Sequence, residues 1–328
     1  MTRRLAVRHE RFKVQGAFTI SRGSRTHADV VTVEIGGAGR TGRGECVPYP
    51  RYGESVQGVI ALIESVRPLI EAGEGRDALA RALPAGAARN ALDCALWDLE
   101  AKLAGLPVWR LAGLPEPGPL TTAFTLSLGT PEAMAAAARA ACDRPLLKLK
   151  LGGVGDLDRV QAVRDAAPAA RLIVDANEAW TPDMVAPYLA SLAELGVELV
   201  EQPLPAGQDA MLADLVHAVP LGADESVQGT ADLATLAGRY EVVNLKLDKT
   251  GGLTEALAFV AEADRLGLAL MVGCMLATSL AMAPAVLVAQ KARFVDLDGP
   301  LLLARDRTPG LRYAGSVVLP PDAALWGA

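Results

Sequence analysis

The sequence predicts an α/β fold in which short strands alternate with helices and close into a parallel barrel, attached to an α+β domain. Three observations predict it. From about Thr121 onward, short apolar runs alternate with helical stretches. A charged residue recurs at the end of successive runs, one strand–helix unit apart. Aromatics make up only 4% of the 328 residues, while Ala, Leu, Gly and Val are plentiful. Small aliphatic side chains suit helices packed tightly on buried strands.

The elements follow in order. Residues 4–14 are mixed apolar and polar, and the β-branched run 29–35 leads into Gly36-Gly37-Ala38-Gly39, a turn signal. Helical patterns cover 56–71 and 87–103, separated by Pro84-Ala85-Gly86. This block lacks strand–helix alternation and reads as α+β. Strands are then expected at 121–126, 146–150, 171–175, 199–201, 221–224, 242–246, 269–272 and 294–297. Helices are expected between them at 131–141, 156–166, 182–195, 209–216, 231–237, 253–266 and 279–289. An open doubly wound sheet is the competing arrangement, but no G-x-G-x-x-G follows a first strand. After about Pro309 the strand-like 315–319 is expected to pack back on the first domain.

Composition excludes several classes. Apolar residues are 51% and charged residues 21%, enough for a sizeable core and too apolar for a disordered chain. The net charge is −6 without a basic block, which argues against nucleic acid. No apolar run reaches the roughly 18–20 residues of a membrane span. The start is basic but lacks a long apolar region, so no secretory signal is expected and the location is read as cytoplasmic. Cys46, Cys94, Cys142 and Cys274 are far apart and read as free thiols in a reducing compartment. His9, His27 and His217 are scattered and receive no chemistry.

Only seven of the 32 basic residues are lysines. Arginine has taken the general solubilising role, so the remaining lysines mark places where a removable proton matters. Four of them, Lys148, Lys150, Lys246 and Lys249, fall in two strand-like segments. From Lys150, charged strand ends recur at Asp175, Glu201, Asp224 and Lys246, in steps of 25, 26, 23 and 22 residues. A parallel strand otherwise buries apolar side chains, so five charges in register point to a site at the barrel's C-terminal mouth. Asp175, Glu201 and Asp224 would converge from neighbouring strands, and like charges so close need a cation. Oxygen ligands suit a hard divalent ion, with Mg²⁺ the natural choice. Lys148 and Lys150 share a strand face, and Lys246 lies on the far side of the acids. Amines on two sides of a cation suit proton transfer, with phosphate binding or structural pairing as the alternative.

These residues sit in Leu147-Lys148-Leu149-Lys150, Asp175-Ala176-Asn177, Glu201-Gln202-Pro203, Asp224-Glu225-Ser226 and Lys246-Leu247-Asp248-Lys249. With Arg22-Gly23-Ser24-Arg25, Gly273-Cys274-Met275 and Asp296-Leu297-Asp298, the chain resembles the enolase superfamily, in its muconate-lactonizing subgroup, and most of all the dipeptide epimerases. The resemblance implies a modified (β/α)7β TIM-type barrel with an α+β capping domain. Its parts would be 1–115 for the capping domain, 116–308 for the barrel and 309–328 for a segment returning to the cap. It implies Mg²⁺ on Asp175, Glu201 and Asp224, and Lys150 and Lys246 as the acid/base pair with Lys148 beside Lys150.

The implied reaction is epimerisation of L-Ala-D/L-Glu-type dipeptides by a 1,1-proton transfer at the α-carbon of the C-terminal residue, through an enediolate, with a place in murein peptide recycling. Asp296 and Asp298, read as two apart on one strand face, are expected to hold the substrate ammonium. Arg25, with Arg22, is expected to hold the glutamyl carboxylate. Tyr52 and Tyr49 lie in a loop suited to closing over the site, and Met275 is a further substrate contact. Asn177 and Asn244 are each read as sharing a strand face with a site residue and are expected to support site residues from behind. Muconate cycloisomerase or o-succinylbenzoate synthase chemistry is the first rival, and the acid pair argues against it. A non-catalytic barrel is the second. The oligomeric state stays open, a homo-oligomer included.

Overall fold

The computed structural model describes residues 3–327. An antiparallel three-stranded sheet opens the chain: β1 (Arg4–Ile20) pairs with β2 (Gly23–Gly37), and β2 with β3 (Arg40–Cys46). Leu5, Val31, Val33 and Ile35 bury one face of this sheet against the helix Ala87–Ala104. Glycine makes the approach of β3 possible. A Cβ on Gly42 would stand 2.1 Å from the Ala95 carbonyl oxygen, and one on Gly44 2.0 Å from that of Ala91. The helical pattern at 56–71 is two helices, Val56–Ser65 and Arg67–Glu71. The break falls at Val66, because Pro68 has no N–H to continue the ladder and instead starts the second helix.

The expected strand 121–126 also divides. β4 (Leu120–Thr121) belongs to a separate small sheet, and β5 (Phe124–Leu126) starts the barrel. The backbone changes partner between them: Thr122 donates to the Ser316 carbonyl at 2.8 Å, and Ala123 to that of Val295 at 2.7 Å. The barrel continues through β6 (Leu146–Lys150), β7 (Arg171–Asp175), β8 (Val197–Glu201), β9 (Leu221–Ala223), β10 (Val242–Leu245), β11 (Ala269–Gly273) and β12 (Phe294–Asp296). All neighbours are parallel and follow chain order. The Ala123–Val295 bond spans the seam between first and last strands.

Helices fill most connections as expected. The exceptions are 209–216, a 3₁₀ turn (Ala210–Asp214), and 231–237, a 3₁₀ turn with one α-turn (Leu233–Leu236). The buried Asp209 carboxylate accepts from Ser226 and Tyr240 instead of capping a helix. The tail forms β13 (Tyr313–Ala314) and β14 (Val317–Val318); β13 pairs with β14 and β14 with β4, not with the first sheet. Beyond them, the Trp326 indole donates to the Cys94 carbonyl and Gly327 to Asp98, so the chain's end reaches the helix Ala87–Ala104.

Strand periodicity positions the site. Leu146, Ile173, Leu199, Val242, Met271 and Phe294 fill the barrel floor. Two residues further along, the same faces carry Lys148, Asp175, Glu201, Asn244 and Asp296. The polar layer thus rests directly on an apolar plug.

Gly44→Ala is expected to destabilise the protein by more than about 3 kcal/mol, because helix backbone cannot yield as a side chain could. Calorimetry would read this as a lowered melting temperature; a shift under about 1 °C would show that the strand lifts off the helix freely.

Candidate active site

Five successive strands deliver the central row. Lys150 stands on β6, Asp175 on β7, Glu201 on β8, Asp224 just after β9 and Lys246 just after β10. Oxygen atoms of the three acids lie within 4.8 Å of one another, and all three residues are buried. The amines flank them: Lys150 Nζ donates to Asp175 Oδ2, and Lys246 Nζ to Asp224 Oδ2, each at 2.6 Å. Lys148, 1% exposed, donates to Asp296 Oδ2 at 2.7 Å. Its Nζ also stands 2.6 Å from Glu201 Oε2, but without hydrogen-bond alignment, which leaves that oxygen unpartnered. Glu201 Oε1 accepts from Asn244 Nδ2 at 2.6 Å.

Burial and like charge set the electrostatics. Burial, then the Asp175 charge, pushes Glu201 up to about 7. Burial alone would raise Asp224 too, but the Lys246 and Lys249 ammonium groups hold it well below the carboxylate range. Burial would lower Lys246, and the Asp224 and Glu201 charges reverse that and hold it charged. The donor set is three buried carboxylates, with no imidazole or thiolate among them. That set fits a hard divalent cation such as Mg²⁺.

A cavity of about 390 Å³ opens above this row. Lys150, Lys246, Asp224, Arg25, Tyr52 and Met275 are among its walls, with Tyr49 and Cys274. Arg22 and Arg25 behave differently. Arg22 spends its donors on Glu225 (2.7 Å), Glu178 (3.2 Å) and the Asn177 carbonyl (2.9 Å). Arg25 makes no ion pair or side-chain hydrogen bond among the described residues and lies over the Tyr49 ring, 5.3 Å from its centre.

Three expected placements are corrected. Asp296 and Asp298 do not share a strand face. β12 ends at Asp296, and Asp298 precedes the short helix Gly299–Leu302, its Oδ2 accepting from Thr125 N at 2.6 Å. Burial, then Asp296, pushes Asp298 up to about 7. Asn177 is likewise past the end of β7, in left-handed backbone at φ 47°, where its N–H donates to Asp175 Oδ1. Lys246 also stands beyond its strand, at the start of the helix Leu247–Thr250.

Sequence reasoning missed Lys249 as a site residue. It is buried and donates to Asp224 Oδ1 and to the Asp224 and Asn244 carbonyls. The scarcity of lysine was the available signal. Glu225 was missed as well: it lines the cavity, binds Arg22, and keeps an unpartnered buried Oε2.

Residues 132–324 match the family described as enolase C-terminal domain-like. Residues 2–113 match the mandelate racemase / muconate lactonizing enzyme N-terminal domain. L-Ala-D/L-Glu epimerase of Escherichia coli (strain K12) is 49% identical over 313 residues, covering 95% of this chain and 98% of the relative. A crystal structure of an enolase family member from Agrobacterium tumefaciens with homology to dipeptide epimerases, with bound sodium and L-Ala-L-Glu, is 58% identical. It superposes with a TM-score of 0.97, covering 99% of this chain and 100% of the other. The dipeptide epimerase from Methylococcus capsulatus complexed with Mg and L-Arg-D-Lys is 32% identical, with a TM-score of 0.88, covering 100% of this chain and 99% of the other.

Asn244→Ala removes the group that orients Glu201. Titration calorimetry is expected to show Mg²⁺ binding weakened about 10- to 100-fold; unchanged affinity would mean that the acid needs no such support.

Proposed function

Because the chain belongs to the enolase superfamily, we propose that it is an isomerase that epimerises dipeptides of the L-Ala-D/L-Glu class in a Mg²⁺-dependent reaction. The observation that carries this reading is the order Lys150, Asp175, Glu201, Asp224, Lys246 across adjacent strands, with an amine at each end of the acid row. We assign Mg²⁺ to Asp175, Glu201 and Asp224; bound there, it would supply positive charge to a substrate carboxylate while the neighbouring carbon is deprotonated.

The residues of the chain do the rest. One lysine takes the proton from the α-carbon of the C-terminal residue at its Nζ, and the other returns a proton to the opposite face, which inverts the centre. Lys148 adds fixed positive charge beside Lys150. Arg25, which has no ion pair among the described residues and lies over the Tyr49 ring, takes the glutamyl carboxylate through its planar guanidinium. Arg22, already paired, holds the loop that carries Arg25 against Glu178 and Glu225. Asp296 and Asp298 take the ammonium, and Tyr49 and Tyr52 exclude water from above. Met275 supplies an apolar wall. Chemistry is assigned to the barrel, 116–308, and selection to the cap, 1–115, whose helix Ala87–Ala104 is reached by Trp326 and Gly327 of the segment 309–328. A place in murein peptide recycling follows from the Ala-Glu class of substrate. A cytoplasmic location is supported by the four free cysteines. Muconate-type substrates lack an ammonium for the acid pair to hold.

Incubation of L-Ala-L-Glu with Mg²⁺ in D₂O, followed by NMR, tests the reading. Deuterium is expected at the glutamyl α-carbon together with the L,D epimer; a dipeptide screen without exchange would remove the proposed activity. Lys150→Ala and Lys246→Ala are each expected to lower epimerisation at least about 10⁴-fold, since inversion needs both faces. Near-normal turnover in either would refute the two-base assignment. Asp298 sits at about 7 in the free protein, and a bound ammonium favours its ionised form. KM for the dipeptide is therefore expected to fall as pH rises through that value, and to lose this dependence in Asp298→Asn. An identical pH profile in the variant would dismiss the ammonium role.

A further inference from the structure

We infer that Glu45 is a positioning residue for the reaction proposed above: its buried carboxylate clasps the cap to the loop after β11 and so fixes the width of the substrate cavity. Glu45 is the penultimate residue of β3, and its side chain is fully buried. Oε1 accepts from the Thr278 N–H at 2.8 Å, and Oε2 accepts from the Thr278 hydroxyl at 2.5 Å and from Arg307 at 2.7 Å. Arg307 also donates to Thr278 Oγ1 at 3.0 Å and pairs with Glu10 of β1 at 3.0 Å. A single carboxylate thus joins residues 233 apart in the chain.

What the clasp joins gives it a role beyond packing. On the cap side, Glu45 leads directly into Val47, Tyr49 and Tyr52, which line the cavity. On the barrel side, Thr278 ends the segment that carries Cys274, Met275 and Leu276, which form the facing wall. Thr278 also caps the following helix, Ser279–Val288, accepting from Leu280 N at 3.3 Å. The loop after β11 is therefore anchored at one end by the strand and at the other by Glu45. Loss of the clasp frees the facing walls to separate while Lys150, Lys246 and the acids stay on their strands. Binding should suffer more than chemistry.

The inference rests on the dipeptide reading for its kinetic arm only. Glu45→Gln keeps the size of the side chain but sets an amide donor against Thr278 and Arg307. It is expected to raise KM for L-Ala-L-Glu about ten-fold while kcat changes less than about two-fold. Hydrogen–deuterium exchange with mass spectrometry should show amides 274–278 exchanging at least about ten-fold faster, with the β6 and β8 amides unchanged. Thr278→Val repeats both effects if Glu45→Gln does not fold, and Thr278→Ser restores wild-type values to within about two-fold. A variant with a lowered melting temperature but wild-type KM and wild-type protection of 274–278 would reduce the clasp to packing and overturn the inference. Absence of dipeptide exchange in the wild type would instead overturn the activity, and the exchange-protection arm would still decide the clasp.

Discussion

Three carboxylates share one buried layer of the barrel, and the rest of the structure answers that constraint. Asp175, Glu201 and Asp224 are each at most 2% exposed. Ionised groups so placed carry both a desolvation cost and mutual repulsion. The fold meets both by geometry. An apolar plug of buried side chains lies directly beneath the layer. Amines enter from both ends of the row and from behind, through Lys150, Lys246, Lys148 and Lys249. One of the six oxygens, Glu201 Oε2, is left without a hydrogen bond among the described residues.

The cap answers a second requirement. A parallel barrel leaves its C-terminal mouth open, and charged groups there act most strongly when water is excluded. Cap and barrel are joined by polar contacts set around the cavity. Arg22 and Arg51 reach Glu178 on one side, and Glu45 reaches Thr278 on another. Asp248, buried and pushed up to about 7 by burial, accepts from Val47 N and Asn90 on a third. Two of these contacts adjoin site residues directly: Glu178 follows Asn177, and Asp248 lies two residues past Lys246. The cap is therefore placed by the same loops that carry the chemistry.

Much of this was legible because it repeats. Steps of 22–26 residues between charged strand ends reflect the length of one strand plus one helix, and a period of two separates the floor residues from the polar layer above them. Features without a repeat were hidden. Asp298 reads as strand because nothing in Asp296-Leu297-Asp298 marks the turn into a four-residue helix. Arg22 and Arg25 look equivalent in Arg-Gly-Ser-Arg, and only the positions of Glu178 and Glu225, more than 150 residues away, distinguish the paired guanidinium from the free one. The segment 209–216 is a 3₁₀ turn and not the expected helix because Asp209, a helix-capping residue by type, is claimed by Ser226 and Tyr240.

The division of labour between the two basic residue types follows from the same chemistry. Arginine ties loops together here: Arg307 to Glu45, Arg51 to Glu178, Arg164 to the Leu195 and Ala170 carbonyls. Its planar fork suits several fixed acceptors at once and keeps its proton. At the centre that permanence would be a defect, because a base must be able to stand neutral. Lysine also fits a tetrahedral arrangement of acceptors that guanidinium cannot match, as Lys249 does with two carbonyls and one carboxylate oxygen. The four lysines of the centre thus separate into two that reach the cavity, Lys150 and Lys246, the pair proposed above to exchange a proton, and two sealed behind them, Lys148 and Lys249, that pair with the acids.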